Sequence, residues 1–192
     1  PAAQEADGYR DAKQFPQAVG SYLNSLEQNL GTATAVYAEQ LSRAMQCGPF
    51  LMIRHIALDD PRHRGMPQRT DFSLCLAQAG DVQMELVEQH DDTPSVYRDM
   101  FPDGPPGGMA FHHVAVVVPD VFAETARYNA LGFPTASSGR FGTIDFTYID
   151  TTAAGGFMVE VLPDMPEMHA FFGKVRKAAE EWSGDVAWRD FD

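Results

Sequence analysis

Two adjacent histidines, His112 and His113, stand at the start of a short run of valines in the stretch AFHHVAVVVPD. A strand end does not need two imidazoles for its structure, and imidazole is both a common metal ligand and a common proton carrier. Two glutamates lie in comparably apolar surroundings, Glu85 in MELV and Glu160 in MVEVL. Burying an unpaired carboxylate is costly, so these groups are candidates for one shared site.

The two glutamates occupy matching places in an internal repeat. The segment DFSLCLAQAGDVQMELV resembles DFTYIDTTAAGGFMVEV in its first residues, its glycine-containing turn and its single glutamate within an apolar strand. Phe72 precedes Glu85 by 13 residues, and Phe146 precedes Glu160 by 14. Either glutamate alone can simply face solvent. Two at equivalent positions of a duplicated chain favour a functional role.

The first predicted strand of each repeat supplies one more polar residue. Aligning FPQAVGSYL with AFHHVAVVV places Gln17 opposite His113. One imidazole and three oxygen-bearing groups then make a plausible site for a divalent metal that keeps coordination positions open. The spacing alone is not a strong motif, so the site is a hypothesis that depends on the two repeats packing around an approximate twofold axis.

A second feature is a local excess of positive charge. Four arginines fall within RHIALDDPRHRGMPQR, namely Arg54, Arg62, Arg64 and Arg69. A solvated loop is the simple interpretation. The alternative is an anion clamp for a carboxylate or phosphate of a substrate. Arg54 and Arg69 lie nearest the predicted strand ends and are the better candidates, and His55 is the other histidine expected to line the cavity.

Hydrophobic periodicity predicts a mixed chain of helices and strands. The predicted strands are 15–26, 50–58, 72–78, 82–89, 111–118, 133–139, 143–150 and 157–162. The predicted helices are 31–46, a short one near PSVYRDMF, 121–131 and 168–182. Pro119 and Asp120 favour the start of the third helix, and Gly132 favours its end.

Composition and net charge limit the classes of binding partner. The chain has 192 residues and a formal net charge of -13, which disfavours nucleic acid and anionic membranes. No apolar run is long enough to predict a membrane span, and no signal sequence is recognisable. Cys47 and Cys75 form neither a disulfide framework nor a C-x-x-C motif, and we interpret them as buried thiols of a cytoplasmic protein.

Over residues 14–163 the chain resembles the vicinal oxygen chelate superfamily, which includes glyoxalases, bleomycin-resistance proteins and ring-cleaving dioxygenases. The resemblance is strongest in HHVAVVVPD, LGF, GPF and the two strand glutamates. It implies an α+β fold in which two tandem βαβββ modules form a cup-shaped, incomplete eight-stranded barrel, followed by a C-terminal helix. The implied boundaries are a polar tail (1–14), the first module (15–90), a connector (91–109), the second module (110–163), and the final helix and tail (164–192).

The resemblance also implies the site. Gln17, Glu85, His113 and Glu160 take the positions of the family's metal ligands, whereas His112 is expected to point the other way. This set is similar to that of glyoxalase I, and it differs from that of methylmalonyl-CoA epimerase at Gln17 and Glu85. The expected cofactor is one divalent ion (Zn, Ni, Co, Mn or Mg), and the expected assembly is a homodimer.

The implied chemistry is metal-dependent lyase, isomerase or epimerase chemistry on a small, anionic substrate. Glu85 and Glu160 would move a proton next to a carbonyl while the metal stabilises an enolate or enediolate. Two alternatives stay open: a ring-cleaving extradiol-type dioxygenase, and a binding or resistance protein without catalysis. Gln17 stands where a dioxygenase needs a histidine, which counts against the first. The sequence does not identify the substrate, the metal, or a CoA or glutathione carrier.

Overall fold

The computed structural model describes residues 33–191. Gln17, the predicted strand 15–26 and the polar tail therefore lie outside the described residues. Within the described range the helices are α1 (Ala33–Met45), α2 (Val96–Met100), α3 (Val121–Ala130), α4 (Thr152–Gly155) and α5 (Pro166–Glu180). The strands are β1 (Phe50–Ile53), β2 (Asp59–His63), β3 (Met66–Pro67), β4 (Phe72–Ala79), β5 (Val82–Gln89), β6 (His113–Val118), β7 (Thr135–Phe141), β8 (Ile144–Ile149), β9 (Met158–Pro163) and β10 (Trp188–Asp190).

The first sheet has the strand order β10-β1-β4-β5. Helix α1 packs on one face of it, where Ala35 and Ala38 contact Phe50, Met52 and Cys75 in a buried cluster. Small residues on the helix let its backbone approach the sheet closely, which explains why alanine rather than leucine occupies these positions. Helix α5 also packs against this sheet, with Val175 and Ala178 against Leu51 and Leu76.

Glu88 of β5 connects the sheet to the beginning of α1. Its carboxylate accepts hydrogen bonds from the backbone N–H groups of Ala33 (3.1 Å) and Thr34 (3.0 Å), and from the Thr34 hydroxyl (2.7 Å). A carboxylate at this end of a helix also opposes the positive end of the helix dipole. The first sheet and the helix above it are therefore joined by a polar contact as well as by apolar packing.

The predicted strand 50–58 is too long. β1 ends at Ile53, and His55 takes a left-handed backbone conformation, with φ of 47°. The chain then enters the other sheet, where β2 pairs with β7 and places Arg62 opposite Ser138. The segment DDPRH was predicted to be a loop because it has no apolar alternation. Its strand pairing depends on backbone hydrogen bonds that a hydropathy pattern does not report.

The second sheet has the order β3-β2-β7-β8-β9-β6, with β6 parallel to β9. Helix α3 begins at Asp120, whose carboxylate accepts a hydrogen bond from Ala123 N–H at 2.9 Å. After the helix Gly132 has φ of 89°, as the predicted glycine stop requires. The helix covers a core cluster that contains Val121, Ile149 and Val161.

The α+β fold class is confirmed, and the two curved sheets of the described residues do not close into a barrel. The unit β6-α3-β7-β8-β9 has the predicted βαβββ order. The prediction missed β3, α4 and β10, which are two to four residues long. Among residues 33–191, no helix is both long and apolar enough to cross a membrane.

Candidate metal centre

Three of the four predicted ligands come together between the two sheets. His113 Nε2 lies 3.7 Å from Glu85 Oε1 and 3.8 Å from Glu160 Oε2. The side chains of His113, Glu160 and Glu85 are 10%, 13% and 23% exposed, so the group is largely buried. We call Glu85, His113 and Glu160 the His113 site.

Strand register explains this convergence. β6 pairs with β9 so that Ala115 lies opposite Glu160. His113 is two residues before Ala115 and therefore shares its face of the sheet, which directs His113 and Glu160 to the same side. Glu85 comes from β5 of the other sheet, where it lies opposite Leu76. The site thus needs both sheets.

The three groups do not hydrogen-bond to one another. Separations of 3.7 and 3.8 Å exceed the range for an N–H···O hydrogen bond. Metal–ligand bonds of about 2.0–2.2 Å bring donor atoms to roughly 3–3.5 Å from each other, so a small inward movement would let all three bind one ion. One imidazole nitrogen and two carboxylates form a donor set that suits a divalent cation.

Burial shifts the pKa values of all three groups. The pKa of Glu85 is raised well above its ordinary value by burial and by the neighbouring Glu160. The pKa of Glu160 is raised to about 7 by burial, against the opposite effect of a hydrogen bond from Tyr148. The pKa of His113 is lowered to about 3 by burial and by His112. The two carboxyl groups resist ionising together, and the imidazole beside them is neutral. A divalent cation would stabilise both carboxylates in their ionised form.

The sequence predicted that His112 points away from the site, but the structure places it beside His113. Its Nδ1 lies 3.0 Å from Nδ1 of His113, and its Nε2 lies 3.1 Å from the carbonyl oxygen of Val96. The expectation assumed strand alternation across both histidines, but β6 begins at His113. His112 stands at the edge of the strand, where its carbonyl still accepts from Met158 N–H at 2.9 Å, and its ring lies against that of His113.

This contact determines the proton positions on both rings. The Val96 carbonyl can only accept, so His112 carries its proton on Nε2. Burial lowers the pKa of His112, which keeps the ring neutral and leaves Nδ1 as an acceptor. His113 must then donate from Nδ1, and its Nε2 lone pair faces Glu85 and Glu160. This is the tautomer that a metal ligand requires.

Two tyrosines complete the surroundings of the His113 site. Tyr148 is 3% exposed and lies opposite Glu160 in the β8–β9 register. Tyr97 of α2 packs edge-on against Tyr148, with 6.4 Å between the ring centroids. The pKa of Tyr148 is raised well above its ordinary value by burial and by Glu160, so it stays a neutral donor. The alternation of FTYID placed Tyr148 on a strand, but no sequence signal connected Tyr97 to the site.

The residues predicted to bind substrate either contact carboxylates of the protein or face solvent. Arg54 Nε donates to Asp190 at 3.1 Å, and Arg69 is exposed. His55 is bonded to Asp71 through Nδ1 at 2.7 Å. The remaining two arginines of the patch are engaged by carboxylates, Arg62 by Asp60 and Arg64 by Asp99 and Asp150. The patch is therefore largely neutralised by its own neighbours.

A family profile and a solved structure are similar to the chain. The profile of the glyoxalase/bleomycin resistance protein/dioxygenase superfamily matches residues 33–148, which include Glu85 and His113. No curated protein matches the chain. Among solved structures, the crystal structure of methylmalonyl-CoA epimerase from Mycobacterium tuberculosis is similar over 70% of this chain and 83% of that one, at 19% sequence identity and a TM-score of 0.45.

Proposed function

Because the chain belongs to the glyoxalase/bleomycin resistance protein/dioxygenase superfamily, we propose that it is a metal-dependent enzyme of the lyase, isomerase or epimerase type. The observation that carries this proposal is the convergence of Glu85, His113 and Glu160 at 3.7–3.8 Å without mutual hydrogen bonds. We assign these three side chains as ligands of one divalent ion. By its equivalence to His113 in the repeat, Gln17 is the proposed fourth ligand.

The proposed chemistry is the removal of a proton next to a carbonyl. When bound, a divalent ion would supply Lewis acidity that stabilises negative charge on the substrate oxygens. Each glutamate has two carboxylate oxygens, so one can bind the ion while the other faces the substrate carbon. A carboxylate held beside the substrate carbon can accept a proton from it and return it. Tyr148 lies opposite Glu160 in the β8–β9 register and helps to enclose that carboxylate.

The proposal is tested by hydrogen exchange at carbon. The protein, loaded in turn with Zn²⁺, Ni²⁺, Co²⁺ and Mn²⁺, is incubated in D₂O with chiral 2-methyl acyl thioesters and with hemithioacetals of 2-oxoaldehydes. Deuterium incorporation at the carbon next to the carbonyl is followed by NMR. We expect metal-dependent incorporation that Glu160→Gln and Glu85→Gln each abolish. Glu124→Gln, at a half-buried glutamate of helix α3 paired with Arg127, is the matched control.

Two results would redirect the assignment. Oxygen uptake that requires Fe²⁺ and a catechol would favour the dioxygenase alternative, although His113 is the only imidazole whose free nitrogen faces the two carboxylates within the described residues. Tight binding of a small molecule with no exchange at any carbon would favour a binding protein. If the protein retained no divalent ion after loading, the assignment of Glu85, His113 and Glu160 as metal ligands would be wrong.

The anion-binding role of the arginine patch is a further part of the proposal. Arg69 is exposed, whereas Arg54 has Asp190 beside it, so Arg69 is the better candidate to contact an anionic substrate group. Loss of one charge-assisted bond costs about 1.5–3 kcal/mol, or roughly tenfold to a hundredfold in affinity. We therefore expect Arg69→Ala to raise KM with little change in kcat, and Arg62→Ala to serve as the control. An unchanged KM in both would limit the patch to a structural role.

The proposed assembly is a homodimer in the cytoplasm. Val175 and Ala178 of helix α5 are buried against the first sheet, so this face of the helix is not available as a dimer contact. Sedimentation velocity on the full chain measures the assembly directly.

A further inference from the structure

We propose a second, separate site for a transition-metal ion at His55, Asp71 and His90, called here the His55 cluster. One donor atom from each of these three side chains lies within 4.8 Å of the other two. His55 and Asp71 are exposed and His90 is half-buried, so an ion can enter from solvent. This inference does not depend on the proposed function, because the cluster shares no residue with the His113 site.

The cluster lies on the opposite face of the first sheet from Glu85. Leu76 of β4 is directly opposite Glu85 of β5, and their side chains therefore share one face. Ser73 is three residues before Leu76, and this odd spacing puts its side chain on the other face. His90 Nε2 lies 2.7 Å from the Ser73 hydroxyl, which places His90 on the Ser73 side. The two candidate sites are consequently separated by the thickness of the sheet.

Backbone and side-chain hydrogen bonds hold each member of the cluster. The His55 N–H donates to the Ser73 hydroxyl at 3.0 Å, and the same hydroxyl contacts His90. The His90 N–H donates to the Asp71 carbonyl at 2.8 Å, and the Asp71 N–H donates to the Asp91 carboxylate at 2.8 Å. Ser73 is fully buried, so its position is fixed by packing. The three candidate ligands are thus positioned before any ion arrives.

The backbone of His55 indicates that this position is imposed. Its φ of 47° lies in the left-handed region, which is uncommon for residues other than glycine. An exposed residue gains nothing from that conformation by itself. The turn brings the His55 ring to Asp71 and to within 4.9 Å, centroid to centroid, of the His90 ring.

The donor set predicts the class of ion. Two imidazoles and one carboxylate suit Zn²⁺, Ni²⁺, Co²⁺ or Cu²⁺ better than Mg²⁺ or Ca²⁺, which prefer oxygen ligands. The separation of 2.7 Å between His55 Nδ1 and Asp71 Oδ1 is close to the roughly 3 Å between adjacent ligands of one ion. Asp91 lies directly behind Asp71, and its negative charge also favours a cation. Binding would replace the proton that His55 and Asp71 share.

A second histidine–aspartate pair, His169 and Asp164, has no third candidate ligand beside it within residues 33–191. His169 Nε2 lies 2.6 Å from Asp164 Oδ1, and these side chains are 65% and 52% exposed. For His55 Nδ1 and Asp71 Oδ1 the distance is 2.7 Å, and the exposures are 67% and 46%. The two pairs have the same residue types and similar exposure, so the second pair is the reference for metal binding without a third ligand.

The experiment is a Ni²⁺ titration by calorimetry on the full, tag-free chain after treatment with EDTA and desalting. It is performed in the His113→Ala background, where the proposed catalytic metal site is disabled. We expect one Ni²⁺ per chain, with an affinity that His55→Ala and His90→Ala each lower at least tenfold. His169→Ala should leave the titration unchanged. Circular dichroism confirms folding, and His90→Gln provides a second variant that keeps a hydrogen-bonding group beside Ser73.

The outcomes separate the two proposals. A titration that is absent in the His113→Ala background, or that survives in the His55→Ala/His90→Ala double variant, overturns the second site. Equal losses on substituting His55 and His169 would show that any surface histidine–aspartate pair binds Ni²⁺ to this extent, and would also overturn it. None of these results bears on the His113 site, whose test is metal-dependent exchange at carbon.

Discussion

The His113 site and the His55 cluster both combine histidine with carboxylates, but the distances between these groups differ. In the exposed cluster, histidine and aspartate bond directly at 2.7 Å. In the buried site, histidine and the two glutamates stand 3.7 and 3.8 Å apart, because strands of two different sheets hold them. Solvent lets a histidine–carboxylate pair close on itself, whereas a rigid buried frame can keep the same groups apart. In the buried site the pKa values of all three groups are shifted by burial, and an added positive charge would stabilise the two ionised carboxylates.

The largest expected effect comes from removing the buried imidazole. His113→Ala should lower divalent-metal affinity at the buried site by more than about 100-fold, since loss of a ligand exceeds the 10–100-fold cost of losing its supporting partner. Competition with a chromophoric chelator measures this affinity. His169→Ala is the control. If His113→Ala retained the wild-type affinity, the buried residues would not be the ones that bind the metal.

The next effect concerns the partner that fixes the tautomer. His112→Ala should reduce affinity at the buried site about 10–100-fold, because His113 then loses the acceptor for its Nδ1 proton. ¹⁵N chemical shifts of the metal-free protein should change from one His113 tautomer to a mixture. His112→Gln can accept from His113 and donate to the Val96 carbonyl, so it should recover part of both. A purely structural role would leave the His113 tautomer unchanged.

A third prediction concerns pH and the metal-free protein. The folded-state pKa of Glu160 is about 7, above its ordinary value of 4.5, because the carboxyl group is buried. Between these pH values the folded chain holds a proton that the unfolded chain has lost. Glu160 should therefore contribute a fall in the free energy of unfolding of roughly 1.4 kcal/mol per pH unit between pH 5 and pH 7. The raised pKa of Glu85 acts in the same direction, and the lowered pKa values of His112 and His113 act in the opposite one. Urea denaturation of the wild type and of Glu160→Gln in EDTA measures the Glu160 contribution as the difference between the two slopes.

Glu160→Gln is the matched variant for that measurement. An amide does not titrate, so the Glu160 contribution to the slope should disappear, and the variant should be more stable than the wild type at pH 8 without metal. Glu124→Gln should preserve the wild-type slope. A Glu160→Gln protein that retains the full slope would assign it to another group.

The smallest effect belongs to the exposed pair. His55→Ala should change the free energy of unfolding without metal by about 0.2–1 kcal/mol, as is typical of solvated ion pairs. Urea denaturation at pH 7 measures it, with His169→Ala as the reference. A loss of several kcal/mol would mean that His55 supports the turn after β1 rather than a surface site.

The sequence predicted those parts of the molecule that depend on apolar patterns and on the duplication. β5 was predicted with its observed bounds, and the equivalence of Glu85 and Glu160 led to the site between the sheets. β2 was missed because its pairing with β7 depends on a backbone path that a polar segment does not reveal. His112 was assigned to the wrong side, since one residue decides where strand alternation begins. The metal-ligand roles, including that of Gln17, stay predictions.

The path of β2 has a consequence for the independence of the duplicated halves. β2 and β3 precede β4 in the chain but belong to the second sheet, and β10 at the end of the described chain belongs to the first. Each sheet therefore contains strands from both parts of the polypeptide. Division of the chain in the connector would leave each fragment with an incomplete sheet and an unpaired strand edge, which is a template for association. Within residues 33–191, neither part of the chain contains all the strands of one sheet, so the two parts are complementary.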